Sequence, residues 1–181
     1  MTMSRFIGFT LVELLAVMAV LAIALSVAFP SMRYLLYKTE MRAQLSRLLA
    51  GINLIRSEAV ARNIPVTMCP SLAPTSVVPI CSGSYNDGWI VFSNPNTDAV
   101  VDPGTDEVVV VSEGLPDGYS WMNRAGNKTA KERISYFSDG SSSSARTLMI
   151  CSPAGSGIPS RSIVMNRVGR ARQAVGWGLC P

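Results

Sequence analysis

Histidine is absent from this 181-residue sequence. It is the side chain that most often acts as a general base near neutral pH and that most often binds metals, so its absence argues against most hydrolytic and metal-dependent chemistry. The four cysteines also lack the paired Cys-x-x-Cys spacing of a structural zinc site. The sequence contains no set of nucleophile, base and orienting residue. We therefore expect no catalytic centre, no metal and no cofactor.

Two long segments each lack charges of one sign. Residues 63–123 contain seven carboxylates and no lysine or arginine, whereas the chain after Asp139 contains five arginines and no carboxylate. Arginine presents a planar set of donors that matches phosphate, and a basic face is the electrostatic signature of nucleic-acid binding. The pattern predicts a DNA-binding surface that consists of Arg146, Arg161, Arg167, Arg170 and Arg172.

The segment Arg167–Gln173 (RVGRARQ) holds the densest group of these arginines. If it is extended, Arg170 and Arg172 project from the same face, because side chains alternate along a strand. Gly169 would allow either a sharp turn or a close approach of the backbone to a ligand, and we include it in the predicted site. Two other interpretations stay open: the arginines could contact acidic residues of a neighbouring subunit, or could be solvated on an exposed sheet edge.

Other residues near this surface are more ambiguous. Trp177 could stack on a base, but we expect it to pack at the domain edge near Cys180. A group of basic residues either widens the basic face or solvates a loop; it consists of Arg124, Lys128, Lys131 and Arg133.

A run of apolar residues from Phe9 to Phe29 is interrupted by one charge, that of Glu13. At about 1.5 Å per residue, a helix of this length spans roughly 30 Å, the thickness of the hydrocarbon core of a bilayer. A charge there costs at least roughly 2.5 kcal/mol, so we expect Glu13 to have a function. A secretory signal would place its small-residue cleavage site after the apolar run, whereas Gly8 precedes it.

The order Gly8-Phe9-Thr10-Leu11-Val12-Glu13 resembles the prepilin signature of type IV pilins and pseudopilins. The resemblance implies that a prepilin peptidase cleaves after Gly8 and methylates Phe9. It also implies that Glu13 pairs with the N-terminal amine of a neighbouring pilin, which removes the cost of an unpaired buried charge. The protein would reside in the bacterial inner membrane, with its globular domain in the periplasm, before it joins an extracellular pilus with other major and minor pilins.

Periodicity predicts one helix from Thr10 to about Arg62. In its second half an apolar stripe recurs at alternating steps of four and three residues, which favours packing against a domain. The stripe consists of Met41, Leu45, Leu48, Ile52, Ile55 and Ala59. We therefore divide the chain into a leader (1–8), a transmembrane or filament-core helix (9–30), an amphipathic half of the same helix (31–62) and a globular β-rich domain (63–181).

Beyond residue 63, short apolar runs alternate with clusters of Pro, Gly, Ser and Asp, the usual boundaries of strands. The serine run between Asp139 and Ala145 is predicted to be a hairpin tip. The predicted strands are Val66–Cys69, Trp89–Phe92, Val108–Ser112, Ile134–Phe137, Thr147–Cys151 and Ile163–Asn166.

Four cysteines in an exported domain indicate disulfides. The sequence permits three pairings. We favour Cys69–Cys81 with Cys151–Cys180, because each bond closes a loop rich in Pro or Gly.

Several segments of the globular part resemble minor pilins of the FimT/FimU/GspH type: RSEAV at 56–60, PVTMC at 65–69, GWIVF at 88–92, SDG at 138–140 with RTL at 146–148, and RSIV at 161–164. The resemblance implies an α+β fold, in which a long N-terminal helix packs on a small domain of two antiparallel β-sheets. Residues 169–172 (GRAR) also resemble the Gly-Arg-x-Arg motif of FimT-type pilins that bind DNA, and we expect FimT to be the closest branch.

The expected function is therefore capture of double-stranded DNA by a minor pilin, near the pilus tip, for uptake in natural transformation (competence). Two alternatives stay open. One is a FimU-like minor pilin that primes pilus assembly without binding DNA, and the other is a GspH-type pseudopilin of type II secretion.

Overall fold

The computed structural model describes residues 10–98 and 100–180. Gly8 and Phe9, the predicted site of cleavage and methylation, lie outside the described residues, and that assignment stays a prediction. The chain divides into two compact units, with the boundary between Leu36 and Tyr37. The predicted division of the helix at residue 30, between its transmembrane and amphipathic halves, stays a prediction.

The first unit contains the beginning of helix α1 (Leu11–Arg62). Thr10 caps this helix: its Oγ1 accepts a hydrogen bond from the Glu13 N–H at 3.3 Å, and its carbonyl accepts one from the Leu14 N–H at 3.1 Å. The large apolar side chains of this stretch are exposed. Among the described residues, α1 is the one helix that is long and apolar enough to cross a membrane.

The second unit begins at Tyr37 and contains the rest of α1. All six residues of the predicted apolar stripe are buried, which confirms the periodicity. Gly51 lies within this buried stretch, where a Cβ would come within 2.7 Å of the Met68 and Trp89 side chains, so the helix packs closely on the domain. The helix is followed by Asn63 in the left-handed conformation (φ 55°), a common C-terminal cap.

Two four-stranded antiparallel sheets complete the second unit. Their strand orders are β3-β2-β1-β5 and β4-β6-β7-β8. Apolar side chains from both sheets and from the α1 stripe form one hydrophobic core, which confirms the predicted α+β fold. The strands are β1 (Val66–Pro70), β2 (Gly88–Ser93), β3 (Val108–Glu113), β4 (Ser120–Asn123), β5 (Ile134–Tyr136), β6 (Arg146–Cys151), β7 (Arg161–Met165) and β8 (Ala171–Val175).

Strands β4 and β8 are absent from the list of predicted strands. The four residues of β4 (SWMN) are too few to show an alternating pattern, and pairing with β6 makes them a strand. β8 (ARQAV) is not an apolar run, and pairing with β7 makes it a strand. The serine run does contain a turn of the hairpin type: Phe137 N–H donates to the Ser141 carbonyl, and Ser143 N–H donates to the Ser135 carbonyl. The chain then crosses to the other sheet at β6.

Both favoured disulfides are present. Cys69–Cys81, with a Cα–Cα distance of 5.5 Å, closes the loop that follows β1. Cys151–Cys180, at 5.7 Å, joins the end of β6 to the C-terminal tail. We call the face of the second sheet that carries Met149 the outer face, because the opposite face packs into the main core. Cys151 projects from the outer face, so the tail lies on that side.

Candidate functional site

The hairpin between β7 and β8 presents the Gly-Arg-x-Arg motif. Asn166 N–H donates to the Arg170 carbonyl at 3.2 Å, and Gly169 N–H donates to the Asn166 carbonyl at 3.0 Å. The Asn166 side chain accepts a further bond from Arg170 N–H at 2.8 Å. These bonds close a tight loop before β8 begins at Ala171. Arg170 is therefore the last residue of the loop, and Arg172 lies in the strand.

The backbone of this loop is fixed to the rest of the domain. The Tyr136 hydroxyl donates to the Gly169 carbonyl at 3.0 Å, and Ser142 N–H donates to the Arg167 carbonyl at 2.9 Å. From α1, Arg56 donates to the carbonyl that precedes Gly169. Burial raises the pKa of Tyr136, so its hydroxyl is protonated at neutral pH and can donate this bond.

Of the two roles expected for Gly169, the structure shows the sharp turn and not the close approach to a ligand. Its φ is +85°, a left-handed conformation that favours glycine. A Cβ would lie 2.0 Å from the Gly140 carbonyl oxygen and 2.9 Å from Tyr136 Cε1, so the backbone is in close contact with its own domain. Because Gly169 is buried and its N–H and carbonyl are both bonded internally, we remove it from the predicted DNA surface.

Three arginines on this hairpin are exposed: Arg167, Arg170 and Arg172, which we call the hairpin arginines. In residues 10–98 and 100–180, the ion pairs involve Arg62 and Arg146, and none involves a hairpin arginine. β8 is an edge strand of its sheet, which leaves one side of it open to a ligand. The predicted clustering of positive charge is therefore present, on fewer residues than expected.

Arg146, at the start of β6, is engaged inside the domain. Its Nη1 lies 2.9 Å from the Glu132 carboxylate, and its Nε donates to the Ser144 hydroxyl at 3.0 Å. The Arg146 side chain is only 16% exposed. An arginine that is neutralised by a carboxylate and largely buried is a poor ligand for phosphate. We therefore also remove Arg146 from the predicted DNA-binding surface.

Arg161 lies apart from the hairpin arginines. It projects from the same face of β7 as Ile163, toward the core side of the sheet. Arg172 pairs with Val164, three residues further along β7 and on the opposite face. The separation along the strand is about 10 Å. We predicted from the sequence that Arg161 and Arg172 share one basic face, whereas the strand register puts them on opposite faces of the sheet.

Trp177 contacts two arginines. The Cζ of Arg172 lies 5.1 Å from the centroid of the ring, and the Cζ of Arg124 lies 5.3 Å from it, both within the range of cation–π attraction. Trp177 is 40% exposed, so it lies at the domain edge, as expected, rather than in the core. For Arg124, the structure thus favours the first of the two interpretations left open, a wider basic face. The contact with Trp177 itself does not follow from spacing, because Arg124 follows β4 and Arg172 lies in β8.

A carboxylate supports the loop against which the hairpin packs. The Asp139 side chain accepts a hydrogen bond from Ser141 N–H at 2.8 Å. Hydrogen bonding to Ser141 lowers the pKa of Asp139 from its ordinary value. Asp139 therefore helps to order the turn that contains Gly140, whose carbonyl faces Gly169.

Glu13 is exposed in the first turn of α1. A negative charge is favourable at this end of a helix, because unpaired backbone N–H groups carry partial positive charge there. The order Thr10-x-x-Glu13 also matches a capping box, in which the glutamate supports the helix start. Pairing with the amine of another subunit stays a prediction.

Comparison with known proteins agrees with the fold. Residues 44–169 match the family model described as type II transport protein GspH, and residues 3–29 match the prokaryotic N-terminal methylation motif. No curated protein matches the chain. Similar solved structures include the type IV minor pilin FimU of Pseudomonas aeruginosa, with a TM-score of 0.53 at 16% identity over 76% of this chain and 90% of that one.

The minor pseudopilin EpsH from the type II secretion system of Vibrio cholerae is also similar, with a TM-score of 0.52 at 11% identity over 75% of this chain and 97% of that one. At these identities the two structures support the fold alone. The GspH model covers more than half of the sequence, and the methylation motif covers its N-terminal part. The chain therefore belongs to the family described as type II transport protein GspH, and it carries the prokaryotic N-terminal methylation motif.

Proposed function

We propose that this minor pilin binds double-stranded DNA, without sequence preference, through the hairpin arginines, and that it serves DNA uptake in natural transformation as FimT-type pilins do. The observation that carries the proposal is the group formed by Arg167, Arg170 and Arg172. These three exposed guanidinium groups stand on one rigid hairpin, with no ion-pair partner in the described part of the chain.

The physical basis is binding to phosphate by preorganised arginines. The hydrogen bonds of the loop hold its backbone in place, so little backbone order has to be gained on binding. Each arginine offers in-plane donors to phosphate oxygens. Three phosphate contacts predict a salt slope of about −3 for log K against log salt, and a loss of affinity of roughly 40-fold between 50 and 200 mM salt.

In the same proposal, the N-terminal part serves assembly. Prepilin peptidase cleaves after Gly8 and methylates Phe9, and Glu13 then pairs with the amine of a neighbouring pilin. The exposed apolar side chains of the first unit contact lipid in the inner membrane before assembly and other pilins afterwards. A position near the pilus tip would expose the hairpin arginines to extracellular DNA. The protein acts as an assembly component and not as an enzyme.

The test is binding of a random-sequence duplex to the full-length protein in non-ionic detergent, at low salt. The variant Arg170→Ala/Arg172→Ala should lose at least tenfold in affinity. The matched control is Lys131→Ala/Arg133→Ala, which removes two positive charges at the same spacing from the loop before β5. Equal losses in both variants would show a general charge effect and would contradict a specific surface.

Absence of binding by the wild-type protein at low salt would favour the alternatives. The hairpin arginines would then contact carboxylates of neighbouring pilins. The protein would be a FimU-like minor pilin that primes assembly, or a GspH-type pseudopilin of type II secretion.

A further inference from the structure

Trp177 brings together two arginines that are distant in the sequence, Arg124 and Arg172. We propose that Trp177 is a positioning residue, which holds these two guanidinium groups as a clamp for backbone phosphates of duplex DNA. This inference rests on the proposed function. It adds Arg124, Trp177 and the Cys151–Cys180 disulfide to the binding surface.

Stacking on an aromatic ring leaves the donors of a guanidinium free. The five N–H groups of arginine lie in its plane, whereas contact with the ring uses its flat face. Arg124 and Arg172 can therefore stay on Trp177 while their edges donate to phosphate oxygens. Because each Cζ lies about 5 Å from the same ring, the two charges are within about 10 Å of each other. A duplex segment of that length carries about six phosphate charges.

In the described part of the chain, neither charge has a carboxylate partner. The ion pairs within the described ranges involve neither Arg124 nor Arg172. Both charges attract an anion, so a phosphate that lies near the two guanidinium groups interacts favourably with each of them. The pair is therefore an electrostatic site for an anion such as phosphate, and attraction to the ring of Trp177 keeps the two arginines together in its absence.

The tail that carries Trp177 is fixed on the outer face. The Ser160 hydroxyl donates to the Gly178 carbonyl at 2.9 Å, and a Cβ at Gly178 would lie 2.3 Å from Met149 Sδ. On the other side, a Cβ at Gly126 would lie 1.8 Å from the Leu179 carbonyl oxygen. The tail thus runs between the outer face and the loop that carries Arg124.

The disulfide secures this arrangement. Cys180 follows the tail directly and is bonded to Cys151 at the end of β6. The bond adds a covalent link to the non-covalent contacts that hold the tail. Cys151–Cys180 therefore fixes the position of Trp177, and through Trp177 the spacing of the two arginines.

Direct stacking of Trp177 on a base is the competing role. It needs an open ring face, whereas two guanidinium groups already lie about 5 Å from the ring centroid. It would also favour single strands, whose bases are accessible, over duplex. A phosphate clamp would instead favour duplex over single strands, since it contacts only the phosphate backbone.

A double-mutant cycle separates the two roles. We would titrate the full-length protein in non-ionic detergent with a random duplex and measure fluorescence anisotropy. Trp177→Ala should raise Kd about tenfold, and Arg124→Ala/Arg172→Ala should raise it by at least as much. The triple variant should bind no more weakly than the double variant, because Trp177 acts only through the arginines. Trp177→Phe should restore much of the affinity, since Phe retains a weaker cation–π contact.

The control is Leu179→Ala, in the same tail, whose side chain is 82% exposed and which should bind like the wild type. Unchanged binding by Trp177→Ala, or a further tenfold loss in the triple variant, would overturn the clamp. In that case the proposed function stands if Arg170→Ala/Arg172→Ala still abolishes binding. A wild-type protein that binds no duplex would overturn both.

Discussion

Replacing Gly169 by alanine should destabilise the domain and weaken DNA binding together. Alanine at a φ of +85° costs about 1–2 kcal/mol, because a left-handed backbone brings Cβ close to the carbonyl. The new Cβ would also lie 2.0 Å from the Gly140 carbonyl oxygen, so the hairpin has to move away. That movement breaks the bond from the buried Tyr136 hydroxyl to Gly169 and leaves the hydroxyl unpaired, at a cost of about 1–3 kcal/mol.

The expected loss in free energy of unfolding is therefore about 2–5 kcal/mol. For a domain of this size, it corresponds to a decrease in Tm of roughly 10 °C. Circular dichroism of the full-length protein in detergent measures the transition. Gly155→Ala is the matched control, because Gly155 has a similar φ of +77° but no atom within 4 Å of the added Cβ.

The difference between the two variants isolates the contact of the hairpin with the Gly140 turn. Gly155→Ala should lose only the backbone contribution of about 1–2 kcal/mol and should bind DNA like the wild type. Equal decreases in Tm for the two variants would refute the account of how the hairpin is held. Normal DNA affinity in a destabilised Gly169→Ala variant would show that the hairpin arginines do not need this support.

Three further outcomes test other parts of the account. Glu13→Gln keeps a residue that is compatible with a capping box but removes the charge. The variant should therefore be incorporated poorly into filaments, while leader cleavage continues. Normal amounts of the variant protein in sheared pili would contradict the proposed pairing. Asp139→Asn should lower Tm at pH 7. The folded pKa of Asp139 lies below its ordinary value of 3.8. The stabilisation by its charge is therefore present above pH 3.8 and is lost as the pH falls through the folded pKa, so the Tm values of the wild type and the variant should converge in acid. A difference in Tm that stays constant with pH would argue against this. Mass mapping without reduction should find Cys69–Cys81 and Cys151–Cys180, and a cross-paired peptide would refute the assignment.

Local patterns in the sequence predict the framework of this fold well. The α1 stripe from Met41 to Ala59 is visible because helical packing repeats every three to four residues. Most strands are visible as apolar runs between turn residues. Two strands were not predicted. β4 (Ser120–Asn123) is a strand because it pairs with β6, which is distant in the sequence, and β8 (Ala171–Val175) lacks the apolar run that marks the other strands.

The candidate surface was predictable only where it is continuous in sequence. Arg170 and Arg172 are two positions apart, so their proximity follows from the sequence alone. The face on which Arg161 lies depends on strand register, and the engagement of Arg146 depends on Glu132 in another loop. The contact of Arg124 with Trp177 depends on how the tail crosses the outer face. Amino-acid composition does not predict such contacts between residues that are distant in the sequence.

The salt dependence of duplex binding tests the role of the hairpin arginines most directly. The wild-type protein should give a slope of about −3 to −4 for log K against log salt, since the proposed binding mode has three hairpin arginines and Arg124 in contact with phosphates. Arg170→Ala/Arg172→Ala should reduce the magnitude of that slope by about 2, while Lys131→Ala/Arg133→Ala leaves it unchanged. Identical slopes for the wild type and the hairpin variant would contradict DNA binding at this surface.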